Sequence, residues 1–190
     1  MDRKSLISLT LGLCLIAASA EARPVPASAN ATLSAGKPWV TVSQAGDAAA
    51  ILGAIEIDAS PKAVWAVLVD CGHARKIIAN LKVCRVVDKG QGWDVREQIT
   101  AGNMFIPEIR NVIRAEYQPY SRITFRKAGG DLKAMQGEWR LESLDGGSRT
   151  RVVYENRVNA DIKLPASVVR AGMKTDCGKV LVNLQHAVTG

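Results

Sequence analysis

Alternating apolar and polar residues predict a series of β-strands through most of the chain. The pattern predicts strands at Trp39–Val42 and Ile51–Ile57, separated by a turn at Ala45-Gly46-Asp47. Later strands are predicted at Lys82–Asp88, Trp93–Thr100, Glu108–Gln118, Arg122–Lys127, Met135–Leu144 and Ser148–Val158. Short turn sequences separate these later strands, which therefore pair as an antiparallel meander.

Helices are predicted beside the strands and at the C-terminus. Ser60-Pro61 marks a helix start, because serine accepts bonds from free N–H groups and proline is favoured at the first helical position. Gly72 ends this helix, and a second short helix covers His73–Asn80. A long helix follows Leu164-Pro165, with an apolar stripe formed by Val169, Met173, Cys177, Val180, Leu184 and Val188. This order predicts an α+β fold with helices covering one face of a sheet.

The alternation also predicts one apolar and one charged sheet face. Met135, Trp139 and Leu141 alternate with polar residues, and Ile113 and Tyr154 fall on the apolar face of their strands. Three polar residues are predicted on that same face: Glu97, Asn111 and Asn156. A ligand, pocket water or hydrogen bonds within the protein would satisfy them; the remaining alternative is a different strand register, which would turn them outward. Gly137, also on this face, indicates either a bulge or the close approach of a helix or ligand.

Residues 1–22 have the features of a secretory signal peptide. Arg3 and Lys4 precede an apolar run, and small residues allow cleavage near Ala20 or Ala22. An uncleaved anchor is the alternative, although the run is shorter than the ~20 residues of a membrane span. Residues 23–37 predict a flexible lead-in to a domain over 38–190. We therefore expect a periplasmic or secreted protein.

Export changes what the cysteines can do. Cys71 and Cys84 lie near a helix end and a strand start, and an oxidising compartment favours a disulfide between them, with two buried thiols as the alternative. Cys177 lies in the apolar stripe of the last helix, where an inert core thiol is expected.

The sequence contains no motif that indicates a metal site or a phosphate-binding loop. His73 and His186 are far apart, so no metal site is predicted. No glycine-rich loop has a phosphate-binding form, so we expect no cofactor.

The chain has a net charge of +7. Its outward arginines either pair with acids across strands or contact an anionic membrane surface; nucleic acid is not an expected partner. They are Arg96, Arg110, Arg114, Arg122, Arg126, Arg140, Arg149, Arg151 and Arg157.

Several of these segments resemble one known superfamily. The residues are Ile55–Pro61, Val64-Trp65, Val67–Asp70, Gly137-x-Trp139-x-Leu141, Thr150–Glu155 and Leu164-Pro165. They resemble the START-like (SRPBCC) superfamily, in particular its bacterial polyketide cyclase/dehydrase and coenzyme-Q-binding-like branch. The resemblance implies a helix-grip fold, in which a curved antiparallel sheet of about six to seven strands wraps around a long C-terminal helix. It also implies a cavity between sheet and helix for lipids, sterols, quinones or polyketides.

Two functions follow from this pattern. The first is an exported carrier of an apolar small molecule, with a binding site formed by Glu97, Asn111, Ile113, Met135, Gly137, Trp139, Tyr154, Asn156, Val169, Met173 and Cys177. The segment Met104–Pro107 forms either a lip of that site, a membrane-touching tip or a buried strand start. The second is a cyclase or dehydratase in which Glu97 is the general base and Tyr154 a hydrogen-bond donor. A domain with a fully packed core and no site is a third alternative, and the oligomeric state is not predicted.

Overall fold

Eight antiparallel strands form one curved sheet. The computed structural model describes residues 23–102, 104, 107–160 and 164–190. The strand order across the sheet is β1-β2-β8-β7-β6-β5-β4-β3. The bounds are β1 Trp39–Ala45, β2 Ala48–Ile57, β3 Leu81–Gly90, β4 Trp93–Thr100, β5 Ile109–Gln118, β6 Arg122–Gly130, β7 Ala134–Leu144 and β8 Arg149–Asn159. The predicted meander and fold class are confirmed, and the sheet has more strands than the six to seven expected because the β1–β2 hairpin joins it through β8.

In the part of the chain that the structure describes, four α-helices accompany the sheet: α1 Asn30–Ser34, α2 Pro61–Val69, α3 Cys71–Ile77 and α4 Ala166–Thr189. The predicted start of α2 is confirmed, since the Ser60 side chain accepts a bond from the Ala63 N–H group and Pro61 occupies the first turn. Asp70 caps α3 in the same way, through the Gly72 N–H group. Helices α2 and α3 are therefore each capped by the side chain of the residue that immediately precedes them.

The main core lies between the inner face of the sheet and helices α2, α3 and α4. Ile55, Ile57 and Val152 from the sheet are fully buried there, together with Val64 from α2. Leu184 from the predicted apolar stripe of α4 is also fully buried, and Cys177 of the same stripe is 6% exposed. Leu181, which the stripe did not include, is fully buried beside them. Burial of each large aliphatic side chain stabilises the fold by about 1.5–3 kcal/mol.

Gly53 on β2 allows α4 to approach the sheet closely. A Cβ atom at this position would lie 2.9 Å from the Cys177 Sγ atom and 3.1 Å from Leu181 Cδ1. At Gly137 the sequence pattern predicted either a bulge or the close approach of a helix or ligand. A Cβ at Gly137 would meet the Glu155 carbonyl oxygen at 2.1 Å and Phe125 Cζ at 2.7 Å. Gly137 therefore accommodates strand β8 and a neighbouring ring rather than the helix.

Residues 23–37 do not form the flexible lead-in that composition predicted. A short 3₁₀ helix over Ala27–Ala29 leads into α1, and both pack on the outer face of the sheet. Ala29 and Leu33, four residues apart, are fully buried against Leu52, Ala54 and Val153. The outer face is apolar at this place, so the segment has a surface on which to fold. Residues 1–22, which contain the predicted signal peptide, lie outside the described residues.

Candidate ligand site on the inner face of the sheet

Most of the predicted site residues lie side by side on the inner face. Strand register places them on β5, β7 and β8 with their side chains on the side that faces α4: Asn111, Ile113, Met135, Gly137, Trp139, Tyr154 and Asn156. The Asn111 Nδ2 atom lies 3.4 Å from the Met135 Sδ atom. The prediction from alternation alone therefore identifies a continuous surface that crosses these strands.

Three aromatic rings form the centre of this surface. Trp139 and Tyr154 have ring centroids 4.4 Å apart, and Tyr154 stacks on Phe125 at 6.1 Å. The sequence pattern did not identify Phe125, although its position on β6 opposite Gly137 follows from the strand register. Burial, and secondarily the neighbouring Cys177, raise the pKa of Tyr154, so its hydroxyl remains protonated at neutral pH.

Two buried amide oxygens on this surface lack a hydrogen-bond donor in the described part of the chain: Asn111 Oδ1 and Asn156 Oδ1. Asn156 donates from Nδ2 to the Tyr154 hydroxyl oxygen at 2.9 Å, which leaves the tyrosine hydrogen for a further acceptor. Buried polar groups in folded proteins are almost always paired. Among the described residues, the inner face therefore presents two acceptors without a donor, one beside the Tyr154 ring and one beside Met135.

Helix α4 covers the inner face unevenly along its length. Cys177, Leu181 and Leu184 in its later turns are buried, whereas Val169 and Met173 nearer its start are only half-buried. The exposed side chain of Val168 lies in the same early turns. The first half of the helix thus contributes apolar side chains that the core does not enclose.

Glu97 does not belong to the inner face, contrary to the prediction. It pairs in register with Val112, so its side chain lies on the outer face with Arg85 and Arg110. Arg110 Nε donates to Glu97 at 2.7 Å, and Arg85 donates to the second carboxylate oxygen. The hydrogen bond from Arg110 lowers the pKa of Glu97 most, and the bond from Arg85 lowers it further. A carboxylate held in this way on the opposite side of the sheet cannot be the general base for an inner-face ligand.

The inner positions of β4 instead hold a buried ion pair that sequence reasoning missed. Arg96, predicted to be outward, is buried beside Asp94, and its Nη2 atom donates to the Val69 carbonyl oxygen at 2.7 Å. Its Nη1 atom bonds the Leu68 carbonyl oxygen at 3.3 Å, and Nη2 also contacts the Tyr117 hydroxyl. A cation at these carbonyls satisfies the C-terminal end of α2. Burial, and then a hydrogen bond to Asp94, raise the pKa of Tyr117.

Sequence comparison assigns the family. The family described as polyketide cyclase / dehydrase and lipid transport matches residues 57–185, more than half of the chain. The chain belongs to this family. The resemblance seen in the sequence is thereby confirmed, and the match begins at the end of β2, so α1 and β1 lie outside it. No curated protein matches the sequence at a significant level.

Solved structures share the fold of this polyketide cyclase and lipid transport family member. The aromatase/cyclase Zhui from Streptomyces sp. R1128 is 23% identical, with a TM-score of 0.58 over 73% of this chain and 90% of that one. The human StarD13 lipid transfer and protein localization domain is 10% identical, with a TM-score of 0.67 over 80% and 85%. A STAR-related lipid transfer protein from Xanthomonas axonopodis is 14% identical, with a TM-score of 0.67 over 80% and 94%. These similarities confirm the helix-grip fold.

The predicted disulfide is present in this family member. Cys71 at the start of α3 is bonded to Cys84 in β3, with Cα atoms 5.5 Å apart. Cys177 is free and buried, and burial raises the pKa of its thiol to about 12. The prediction of an inert core thiol agrees with this position.

The outer surface carries grooves of its own. One of about 380 Å³ lies on the outer face among Arg23, Arg114, Arg126, Gln136 and Arg157, and another of about 540 Å³ lies at the β3–β4 hairpin. Neither of these two grooves is lined by α4. Within the described ranges, no group of three or more His, Cys, Asp or Glu residues could hold a metal ion. In the same ranges, no helix is long and apolar enough to span a membrane.

The segment predicted as a lip or tip is described only at its ends. The Met104 side chain is 90% exposed and Pro107 is also exposed. Phe105 and Ile106 lie outside the described residues. The exposure of Met104 disagrees with the alternative of a buried strand start at this residue.

Proposed function

We propose that this protein binds an apolar small molecule, such as a lipid, quinone, sterol or polyketide-like compound, between the inner face of the sheet and the first half of α4. The observation that carries the proposal is the pair of buried amide oxygens that have no donor among the described residues: Asn156 Oδ1, whose side chain contacts Tyr154, and Asn111 Oδ1, whose side chain contacts Met135. Two neighbours of similar fold are lipid transfer proteins by description, which supports the same class of ligand.

The two amide oxygens without a donor among the described residues favour a ligand that has a polar end. Each buried acceptor without a donor costs roughly 1–3 kcal/mol, and a ligand hydroxyl or amine that donates to it removes this penalty. The Tyr154 hydrogen offers the complementary contact for a carbonyl or hydroxyl oxygen. The remainder of the ligand would bury apolar surface against Ile113, Met135, Val169 and Met173, which contributes about 25 cal/mol per Å² before association costs.

Export to the periplasm or outside the cell is part of the proposal. The basic and apolar pattern of residues 1–22 supports it, and so does the Cys71–Cys84 disulfide, because such bonds persist in oxidising compartments. Transient contact with an anionic membrane through exposed Met104 and the arginine-rich outer surface would give a carrier access to its ligand.

The proposal is tested by purifying the protein under native conditions, extracting it with organic solvent and identifying co-purified compounds by mass spectrometry. We expect one recurrent apolar class in the native protein. Asn156→Leu removes an orphan oxygen and a Tyr154 contact, so ligand recovered per mole of protein should fall at least tenfold, the equivalent of ~1.4 kcal/mol. Gln136→Leu, an exposed amide on the outer face next to Gly137, is the matched control and should change nothing.

Two outcomes would contradict the proposal. One is the repeated absence of any apolar compound from the native protein, together with no enhancement of 1-anilinonaphthalene-8-sulfonate fluorescence. The other is equal recovery of ligand from the native protein and from Asn156→Leu, which would place the ligand elsewhere.

A further inference from the structure

Arg23 is held on the outer face of the sheet by contacts from its backbone and its side chain. Its backbone N atom lies 3.2 Å from Glu155 Oε2, and its Nε atom lies 2.6 Å from Glu155 Oε1. Its Nη2 atom donates to the Ile51 carbonyl oxygen at 2.9 Å. Arg140 Nη2 donates to the Arg23 carbonyl oxygen at 2.7 Å. A single residue thus has four hydrogen bonds to three elements of the folded sheet.

The Glu155 carboxylate, which Arg23 contacts, lies next to another carboxylate and is therefore stabilised by nearby positive charge. Glu155 on β8 is directly opposite Glu138 on β7, and like charges at such positions repel. The Glu155 side chain is 15% exposed, so water screens it only in part. Arg140 approaches both carboxylates, at 3.6 Å in the case of Glu155. Burial would raise the pKa of Glu155, but its bonds to the side chain and backbone of Arg23 lower it on balance.

The sequence immediately before Arg23 matches one of the two predicted cleavage sites. Ala20-Glu21-Ala22 has small residues at the two positions that a signal peptidase requires, and the bond that would be cut joins Ala22 to Arg23. Cleavage at the alternative site after Ala20 would leave the negatively charged Glu21 two residues before Arg23, the residue that contacts Glu155. The charge pattern at the docking position therefore distinguishes the two sites.

We propose that the mature protein begins at Arg23 and that its new α-ammonium group binds the Glu155 carboxylate. This inference rests on the proposed export. A signal peptidase hydrolyses the Ala22–Arg23 peptide bond: the oxygen of a water molecule bonds to the Ala22 carbonyl carbon, which leaves as a carboxylate, and the water protons convert the Arg23 nitrogen to an ammonium group. An uncharged peptide N–H near Glu155 is thus replaced by a cation.

This docking ties the N-terminal segment to the sheet. The segment carries Ala29 and Leu33 onto the apolar patch of Leu52, Ala54 and Val153. The segment is thus attached to the sheet at both ends, by Arg23 at its start and by α1 at its end. Cleavage of the signal peptide would therefore strengthen the packing of this segment on the outer face as well as release the signal peptide.

The test expresses the full chain in a Gram-negative bacterium and determines the N-terminus of the periplasmic product by intact mass and N-terminal sequencing. We expect Arg23. Ala22→Leu should abolish this product, whereas Ala18→Leu, which alters only the site after Ala20, should leave it unchanged. A native product that begins at Glu21 overturns the inference but leaves export intact. A full-length cytoplasmic product overturns both the inference and export.

Thermal unfolding tests the contact itself. We expect the product that begins at Arg23 to unfold about 2–4 °C above a product that retains residues before Arg23. Glu155→Gln should abolish this difference while both products still fold. If the two products with Glu155 intact have equal Tm values, the proposed ion pair between the α-ammonium group and Glu155 is overturned.

Discussion

The Nε–H group of Arg96 is shared between the two carboxylate oxygens of Asp94, each 3.0 Å from the Nε atom. The two side chains are 8% and 9% exposed and lie two residues apart on the inner face of β4. The same guanidinium bonds the last carbonyl oxygens of α2. One buried ion pair thus fixes the end of a helix against the middle of a strand.

We predict that Arg96→Met lowers the free energy of unfolding by about 3–5 kcal/mol, because the buried Asp94 carboxylate then lacks its partner. Equilibrium unfolding in urea measures the change. Arg126→Met, an exposed arginine on the outer face, is the control and should shift stability by less than about 0.5 kcal/mol. Similar losses in the two variants would mean that Arg96 contributes no more than a surface charge.

The disulfide between Cys71 and Cys84 closes a sequence separation of 13 residues. Its removal by Cys84→Ser should reduce stability by about 3 kcal/mol in the loop-entropy account. Chemical denaturation with and without a reducing agent measures the effect. The native protein should respond to the reductant and Cys84→Ser should not. An identical denaturation midpoint for oxidised and reduced native protein would contradict this prediction.

Two glycines should respond to substitution in opposite directions. Gly53→Val places side-chain atoms against Cys177 and Leu181 and should lower stability by about 1–3 kcal/mol, with partial recovery on adding Cys177→Ala. Gly172 lies within α4, and a Cβ there would have nothing within 4 Å. Gly172→Ala should therefore raise stability by about 0.5–1 kcal/mol. Thermal unfolding distinguishes the variants, and stabilisation by Gly53→Val would refute the close contact.

The pKa of about 12 at Cys177 predicts a strong pH dependence of its reactivity. Only the thiolate reacts with iodoacetamide, and burial disfavours the thiolate. Alkylation of Cys177, followed by peptide mass mapping, should be negligible at pH 8 in the native protein and rise as the pH approaches 12. Denatured protein at pH 8 is the positive control. Rapid labelling of the native thiol at pH 8 would show that the site is open.

Strand alternation predicted most of the candidate site because the inner faces of β5, β7 and β8 are mainly apolar. It failed on β4, where Trp93, Val95 and Ile99 share one face with Glu97 and made that face appear inward. In the structure these residues face outward, and Trp93 lies under the Arg114 guanidinium at 3.9 Å. The inner set contains Asp94 and Arg96, whose burial is possible only because they pair with each other and with α2 carbonyls. Such partners are distant in sequence and leave no periodic signal.

Composition was also a poor guide to residues 23–37. Their Pro, Ala and Ser content is typical of a linker, but the folded state of this segment depends on an apolar patch of the outer face that only the assembled sheet provides. The helices, by contrast, were predicted from local signals, since Ser60-Pro61 acts within one turn.

Strand β3 forms one border of the sheet, and its pairing with β4 is interrupted twice, between Leu81 and Val83 and between Val86 and Asp88. Its last six residues are all exposed and include Asp88 and Lys89. An uninterrupted border would offer a regular row of free N–H and C=O groups to another molecule, and irregular, charged edges prevent such pairing. The irregular pairing and the charged residues of β3 therefore disfavour the addition of a further strand at this edge of the sheet.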